Sequence, residues 1–290
     1  MTRRGWVLFA AMSLIWGAPY LFISIAAEYV NPFVLVLLRT GIAALVLVPI
    51  TFARGQAMIM LRHWRPILVF AALEIIIPWP MLNYAETRIS SSMTGLLIAT
   101  VPLMAALAFL VSRGAERYSL RQMVGLVIGF GGVVLLLGVD FGSLDPLAIL
   151  LMLGVVLCYT AAPLVMSRTL SGVPPLPVMT AALVIATLVY LPFGFVHPPV
   201  GIPPHALVSI AILALVCTAL AMVLFGALII EAGPTRSLLF TYVNPVVALI
   251  LGVLVLGEAV TPGMLIGMPL ILGGAILVMR GGGKAASATV

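Results

Sequence analysis

Ten apolar stretches separated by short breaks leave this chain almost no residues from which to build a water-facing surface. They run near 6–26, 33–52, 66–84, 93–112, 121–138, 146–167, 176–195, 206–229, 237–256 and 263–279. A helix needs about 20 apolar residues to cross the ~30 Å hydrocarbon core of a bilayer. Charge supports the same reading: 8% of the 290 residues are charged, against roughly 25% in a soluble domain. The pattern therefore predicts an all-α membrane protein with ten transmembrane helices, in contact with lipid and with no room for a separate soluble domain.

The breaks carry Pro, Gly or charge: Asn31-Pro32, Arg62 to Arg65, Glu86 to Arg88, Gly114 to Arg117, Asp140 to Asp145 and Pro174-Pro175. These residues stop or re-aim helices. The boundary between the seventh and eighth stretches is the least marked, because His197 to His205 is Pro-rich and uncharged. The start, Met1-Thr2-Arg3-Arg4 before an apolar run, imitates a signal peptide. That run is longer than a cleaved core, so a retained first helix is expected.

Ten crossings put both termini on one side, and basic residues choose the side. With the amino terminus inside, Arg3, Arg4, Arg54, Arg62, Arg65, Arg113, Arg117, Arg121, Arg168, Arg236, Arg280 and Lys284 all face the cytoplasm. Only Arg88 faces outward, and Arg39 lies within a span. The net charge of +6 is thus explained by topology and not by a nucleic-acid partner. The expected location is the inner (cytoplasmic) membrane.

An internal repeat is also legible. Glu116, Ser119, Gly125, Gly131 and Gly132 recur as Glu258, Thr261, Gly267, Gly273 and Gly274, all at an offset of 142 residues, and Pro102 recurs as Pro245. A half of five helices is odd, so its copy enters the membrane from the opposite side. The expected architecture is two inverted five-helix repeats, 5–138 and 146–280, with a cytoplasmic tail at 281–290. Such halves can exchange conformations around a central site, opening it to either side in turn.

The residues Trp16-Gly17, Leu37-Leu38-Arg39-Thr40, Pro102, Gly257-Glu258 and Gly273-Gly274, taken in this order and spacing, resemble the drug/metabolite transporter superfamily, in its ten-helix members with two EamA domains. The first half departs from the pattern, with Gly114-Ala115-Glu116 in place of the Gly-Glu junction. The resemblance covers nearly the whole chain and is similar to bacterial amino-acid exporters, the aromatic amino-acid group included. It implies cytoplasmic termini and a central cavity lined by the first four helices of each repeat, with the fifth and tenth peripheral. It does not imply a substrate.

Two ionisable residues stand inside spans, Arg39 and Glu74. A charge near the bilayer centre costs at least ~2.5–3.5 kcal/mol, so such residues are functional candidates by default. At 1.5 Å per residue they differ by only about 8 Å in depth. An intramembrane ion pair is one expectation; a division of labour, one meeting substrate and the other protons, is the other. Arg39 could also simply snorkel or cap neighbouring carbonyls.

Prolines mark the candidate hinges Pro19, Pro78, Pro80, Pro102, Pro163 and Pro245. Each removes a helix hydrogen bond, and freed carbonyls persist at membrane depth only beside protein or a water-filled cavity. The cavity is therefore expected among their neighbours: Trp16, Tyr20, Arg39, Glu74, Trp79, Asn83, Tyr84, Tyr159, Tyr242 and Asn244. Packing or interfacial anchoring is the plainer account of each aromatic taken singly. Gly125-x-x-x-Gly129 and Gly263-x-x-x-Gly267 fit close helix packing, more readily within a monomer than across a dimer.

These residues fit a secondary transporter of small organic metabolites, an exporter of neutral or aromatic amino acids first. A proton-coupled exporter of cationic drugs is the alternative, since Glu74 stands among aromatics. A channel or membrane scaffold is a third reading. A phosphate-ester carrier wants several buried cations, and one intramembrane Arg does not supply them. An enzyme is not expected: His63, His197 and His205 fall in breaks, and no nucleotide-binding loop is present. Cys158 and Cys217 lie in spans as packing residues. No metal and no cofactor is expected.

Overall fold

The computed structural model describes residues 2–111, 119–139, 145–232, 240 and 243–281. Tyr242, Arg113, Gly114 to Arg117, Asp140, Arg236 and the tail from 282 with Lys284 lie outside them. The described residues are helical and contain no strand. In chain order they form α1 (Arg3–Gly17), α2 (Pro19–Ala27), α3 (Pro32–Ala53), α4 (Ala57–Arg62), α5 (Trp64–Ala71), a π-helical turn (Ala72–Ile76) and α6 (Pro78–Glu86). There follow α7 (Ser91–Ile98), α8 (Val101–Val111), α9 (Leu120–Val139), α10 (Pro146–Thr169) and α11 (Pro175–Val196). The last are α12 (Pro204–Ala211), a second π-helical stretch (Ile212–Leu220), α13 (Ala221–Ala232), α14 (Asn244–Leu256) and α15 (Pro262–Gly281).

Six helical tracts are long and apolar enough to cross a membrane: 3–27, 32–53, 64–86, 146–169, 175–196 and 204–225. Shorter apolar helices occupy the positions of the other four expected spans. Proline placement accounts for most breaks. Pro19 opens α2, Pro78 opens α6 with Pro80 in its first turn, and Pro102 and Pro245 are second residues of α8 and α14. There a missing N–H costs nothing, because first-turn donors have no helical partner. Pro163, by contrast, lies inside the continuous α10 with its ring exposed; prolines of this kind are tolerated in membrane helices.

The packing has two-fold character, since equivalent elements of the two halves meet each other. α9 packs on α15 and α3 on α11. α1–α2 lies against the 204–232 tract as α10 lies against the 64–86 tract. Helix direction follows from named contacts. A Cβ on Gly132 would meet Gly267 O at 2.9 Å, and one on Gly274 would meet Gly125 O at 2.5 Å. Ascending α9 therefore descends α15. On α3 and α11, Thr51 shares a hydrogen bond with Thr180 at 2.8 Å and Thr187 donates to Thr40 at 3.1 Å, again in descending order. Equivalent helices are antiparallel, which makes the repeat inverted. The close-packing glycines Gly125, Gly129 and Gly267 are used within this chain, between α9 and α15.

The end opposite the amino terminus, the far end, is tied by polar contacts. Arg88 forms an ion pair with Asp145, and Asn83 Nδ2 donates to Pro32 O at 3.1 Å. Asp145 also caps α10, accepting from Leu147 N at 2.8 Å. The Arg88 hydrogen bond first, then the cap donors, hold Asp145 below the usual carboxylate range. Its folded value is depressed, so its stabilisation is complete above the unfolded value near ~3.9 and fades as pH falls towards the folded one. The pair is at the surface, where such bridges contribute little. Asp145→Asn should leave thermal unfolding in detergent nearly unchanged at neutral pH, with the small loss greatest at low salt.

Candidate functional site

The two π-helical turns shape the site. They fall in the third tract of each half, and each frees carbonyls that the other half satisfies. Tyr190 of α11 donates its hydroxyl to Ile76 O, and Trp16 Nε1 of α1 donates to Cys217 O at 3.2 Å. π turns widen a helix and bulge it locally. Here they flank a cavity of about 270 Å³ between the halves, reached by α1, α2, α3, both π turns, α6, α7, α8, α10, α13 and α14.

Seven of the ten residues expected to line a cavity do line this one: Trp16, Tyr20, Arg39, Glu74, Trp79, Tyr159 and Asn244, with Pro19 and Pro245 beside them. Arg39 is fixed on two sides. Its Nε donates to Thr218 Oγ1 at 3.0 Å, and its guanidinium carbon lies 3.8 Å from the centre of the Trp79 ring. Thr218 in turn donates to Leu213 O at 2.8 Å, inside the π stretch. The two terminal nitrogens of Arg39 make no hydrogen bond among the described residues. Glu74, carried by the first π turn, has neither hydrogen bond nor ion pair among them.

The expected Arg39–Glu74 ion pair is not formed. Trp79 and Thr218 hold the guanidinium, and the Arg39 and Glu74 side chains share the cavity with both free ends available. Asn83 and Tyr84 are further corrections. Asn83 lies a turn beyond Trp79 towards the far end, where it is buried and braces Pro32. Tyr84 is five residues past Trp79, about 140° round the helix at 100° per residue; its ring faces outward and its hydroxyl accepts from Arg88 at 2.6 Å. Asn244 is held as well as exposed to the cavity: its amide nitrogen reaches Ser13 O at 3.2 Å and Phe240 O at 3.0 Å.

Sequence reasoning missed Thr218 and Cys217 as cavity residues. Thr218 is the one hydroxyl residue of Ile212–Leu220, a signal that was available. It also missed what the Gly257-Glu258 junction does. Gly257 takes φ +66 at the end of α14, a left-handed conformation natural to glycine. That turn delivers the Glu258 carboxylate to the start of α7, where Ser91 N at 2.7 Å, Ser92 N at 3.0 Å and the Ser92 hydroxyl donate to it. Unpaired N–H groups and the helix dipole favour an anion there. The second half thus closes the far end of the first. Beneath this closure lies Glu86, the last residue of α6, 5% exposed and with both carboxyl oxygens unpartnered.

The model of the EamA-like transporter family matches residues 3–138 and 146–280. Protein PagO of Salmonella typhimurium is 28% identical over 123 residues, which is 42% of this chain and 40% of PagO. The match thus spans less than half of PagO's own length. A solved crystal structure of a protein superposes with a TM-score of 0.68 at 21% identity, covering 94% of this chain and 96% of that one. At that identity the likeness shows the fold alone.

Proposed function

The chain belongs to the EamA-like transporter family, a family of membrane transporters of small metabolites, and on that premise we propose that it exports neutral or aromatic amino acids across the cytoplasmic membrane. One observation carries the reading: the cavity holds a guanidinium with two free nitrogens and a carboxyl with no partner, among four aromatic rings. An amino acid carries a carboxylate for the first, an ammonium for the second and a side chain for the rings. The volume of about 270 Å³ sits at the small end of ligand sites, ~300–1,000 Å³, as suits one small solute. The twelve-to-one distribution of basic residues supports cytoplasmic termini. Inverted halves with equivalent helices antiparallel give the symmetry that alternating access uses.

Glu74 among aromatics also favours a second reading, export of organic cations, for which an anion and ring faces suffice. Uptake into proteoliposomes separates the two. Labelled leucine and phenylalanine should accumulate saturably and be displaced by unlabelled amino acid; a cationic dye and a sugar phosphate should not. Glu74→Gln should cut that uptake about tenfold or more, the ~1.5–3 kcal/mol of a hydrogen bond to a charged group. Dye uptake without amino-acid uptake would transfer the cavity to cations, and Glu74→Gln activity equal to the parent would remove the ammonium site.

A further inference from the structure

We propose that Glu86 is a proton-binding site beneath the far-end closure, and that the bound proton keeps that end shut. The inference deepens the transport reading and rests on it for its physiological use. An ionised carboxylate accepts hydrogen bonds through two oxygens and donates none, and burying one without donors is strongly unfavourable. Both Glu86 oxygens are buried without a partner, as is the Ser91 hydroxyl nearby in sequence. Glu258 is the opposite case, with three donors on its carboxylate at the start of α7. When two carboxyls act on each other, the proton goes to the one whose charge is least supported. Here that is Glu86.

The groups facing it come from several elements. Glu258 acts on it from the connection after α14 and Arg39 from α3, and the Tyr20 phenol faces it from α2. α7 and α10, both packed on α6, contribute no charge that acts on it. Arg88, two residues on, is turned to Asp145 at the surface. Arg39 does not neutralise Glu86 directly, because its Nε is on Thr218 and its face on Trp79. Glu74, the other buried carboxyl, is not among the groups acting on Glu86.

The device follows from where the two carboxyls are anchored. Glu258 belongs to the second half and α7 to the first, so opening the far end separates them and admits water to Glu86. The carboxylic acid then releases its proton to that water and becomes a carboxylate, which repels Glu258 and resists closure. Taking a proton back from the far side removes the repulsion and the need for donors, and the end can shut. Acid on the far side therefore favours the shut state.

Two readouts on the full-length reconstituted protein test this without any substrate, so a failed amino-acid assay leaves them standing. The first, read in a Glu74→Gln background that removes the other buried carboxyl without a partner, is the infrared band of a protonated buried carboxyl at neutral pH. It should be present in the parent, lost in Glu86→Gln, shifted in frequency in Glu86→Asp and retained in Glu258→Gln. The second is the distance between spin labels at exposed Thr87 and Val260, with Cys158 and Cys217 replaced by alanine. It should lengthen as pH rises in the parent and stay short in Glu86→Gln, whose amide imitates the protonated acid. A parent band that survives Glu86→Gln, or a pH-driven lengthening that persists in that variant, overturns the proposal. Should Glu86→Gln not fold, an unshifted band in Glu86→Asp overturns it equally.

Discussion

Arg39→Ala protein is expected to insert and fold normally and to transport at about one-thirtieth of the parental rate or less. The figure comes from removing the cation from a solute's carboxylate in a site with little water. Truncating one partner of a desolvated charge pair costs ~2–5 kcal/mol, and each 1.4 kcal/mol is tenfold. Folding should survive because Arg39 spans an internal cavity and is not packed solid. Its loss leaves Thr218 still bonded to Leu213 O, and Trp79 still 9% exposed in its own cluster. Arg39→Lys is the sharper variant. Lysine keeps the charge but not the planar fork that stacks on Trp79 while donating sideways to Thr218, so an intermediate loss is expected, in affinity more than in maximal rate. Amino-acid uptake by both variants, normalised to folded protein, is the measurement. Parental uptake by Arg39→Ala would reduce Arg39 to a structural brace between α3 and the second π turn.

The fold was legible because a bilayer imposes one simple rule on sequence. A stretch without charge must be helix and must be long, so six of the ten windows reappear as long helical tracts and shorter apolar helices stand in the other four. The glycines at the offset of 142 residues were legible for a different reason. Where two backbones touch, only glycine fits, and the two-fold relation repeats the requirement in both halves. The site was less legible. Glu74 and Arg39 stood out as charges in apolar runs, but the π turn at 72–76 that carries Glu74 did not. Nothing in Ala72-Leu73-Glu74-Ile75-Ile76 announces that turn, because its free carbonyl is matched by Tyr190 from the other half. Glu86 reads in sequence as an acid in a solvated break beside Arg88. Its burial is a tertiary fact that the local sequence does not show. Asn83 and Tyr84 show the converse error: being next to prolines placed them near the cavity in sequence, while axial rise and helical rotation carried them past it.

Gly274→Leu should prevent α15 from seating on α9, and even Gly274→Ala should lower the thermal midpoint in detergent by several degrees. A Cβ at Gly274 would lie 2.5 Å from Gly129 N and 2.6 Å from Gly129 Cα, atoms of the facing backbone that no rotamer change can move. Overpacking of this kind costs ~1–3 kcal/mol when neighbours can give and more when backbones must separate. At roughly 2–4 °C per kcal/mol for a chain of this size, alanine is expected to lower the midpoint by about 2–12 °C. The adjacent Gly273 supplies the control, because a Cβ there meets nothing within 4 Å. Gly273→Ala removes a flexible residue from a helix and should hold or slightly raise the midpoint, alanine being favoured by up to ~1 kcal/mol in a helix interior. Two neighbouring glycines, one turned to α9 and one turned away, should thus answer the same substitution with opposite signs. The two-fold relation adds a further requirement: Gly132, the counterpart of Gly274, faces Gly267 O and Ile271 N at 2.9 Å, so Gly132→Ala should lower the midpoint as well. If Gly274→Ala and Gly273→Ala melt alike, the α9–α15 seam is not held by backbone contact, and the antiparallel register read from these glycines loses its support.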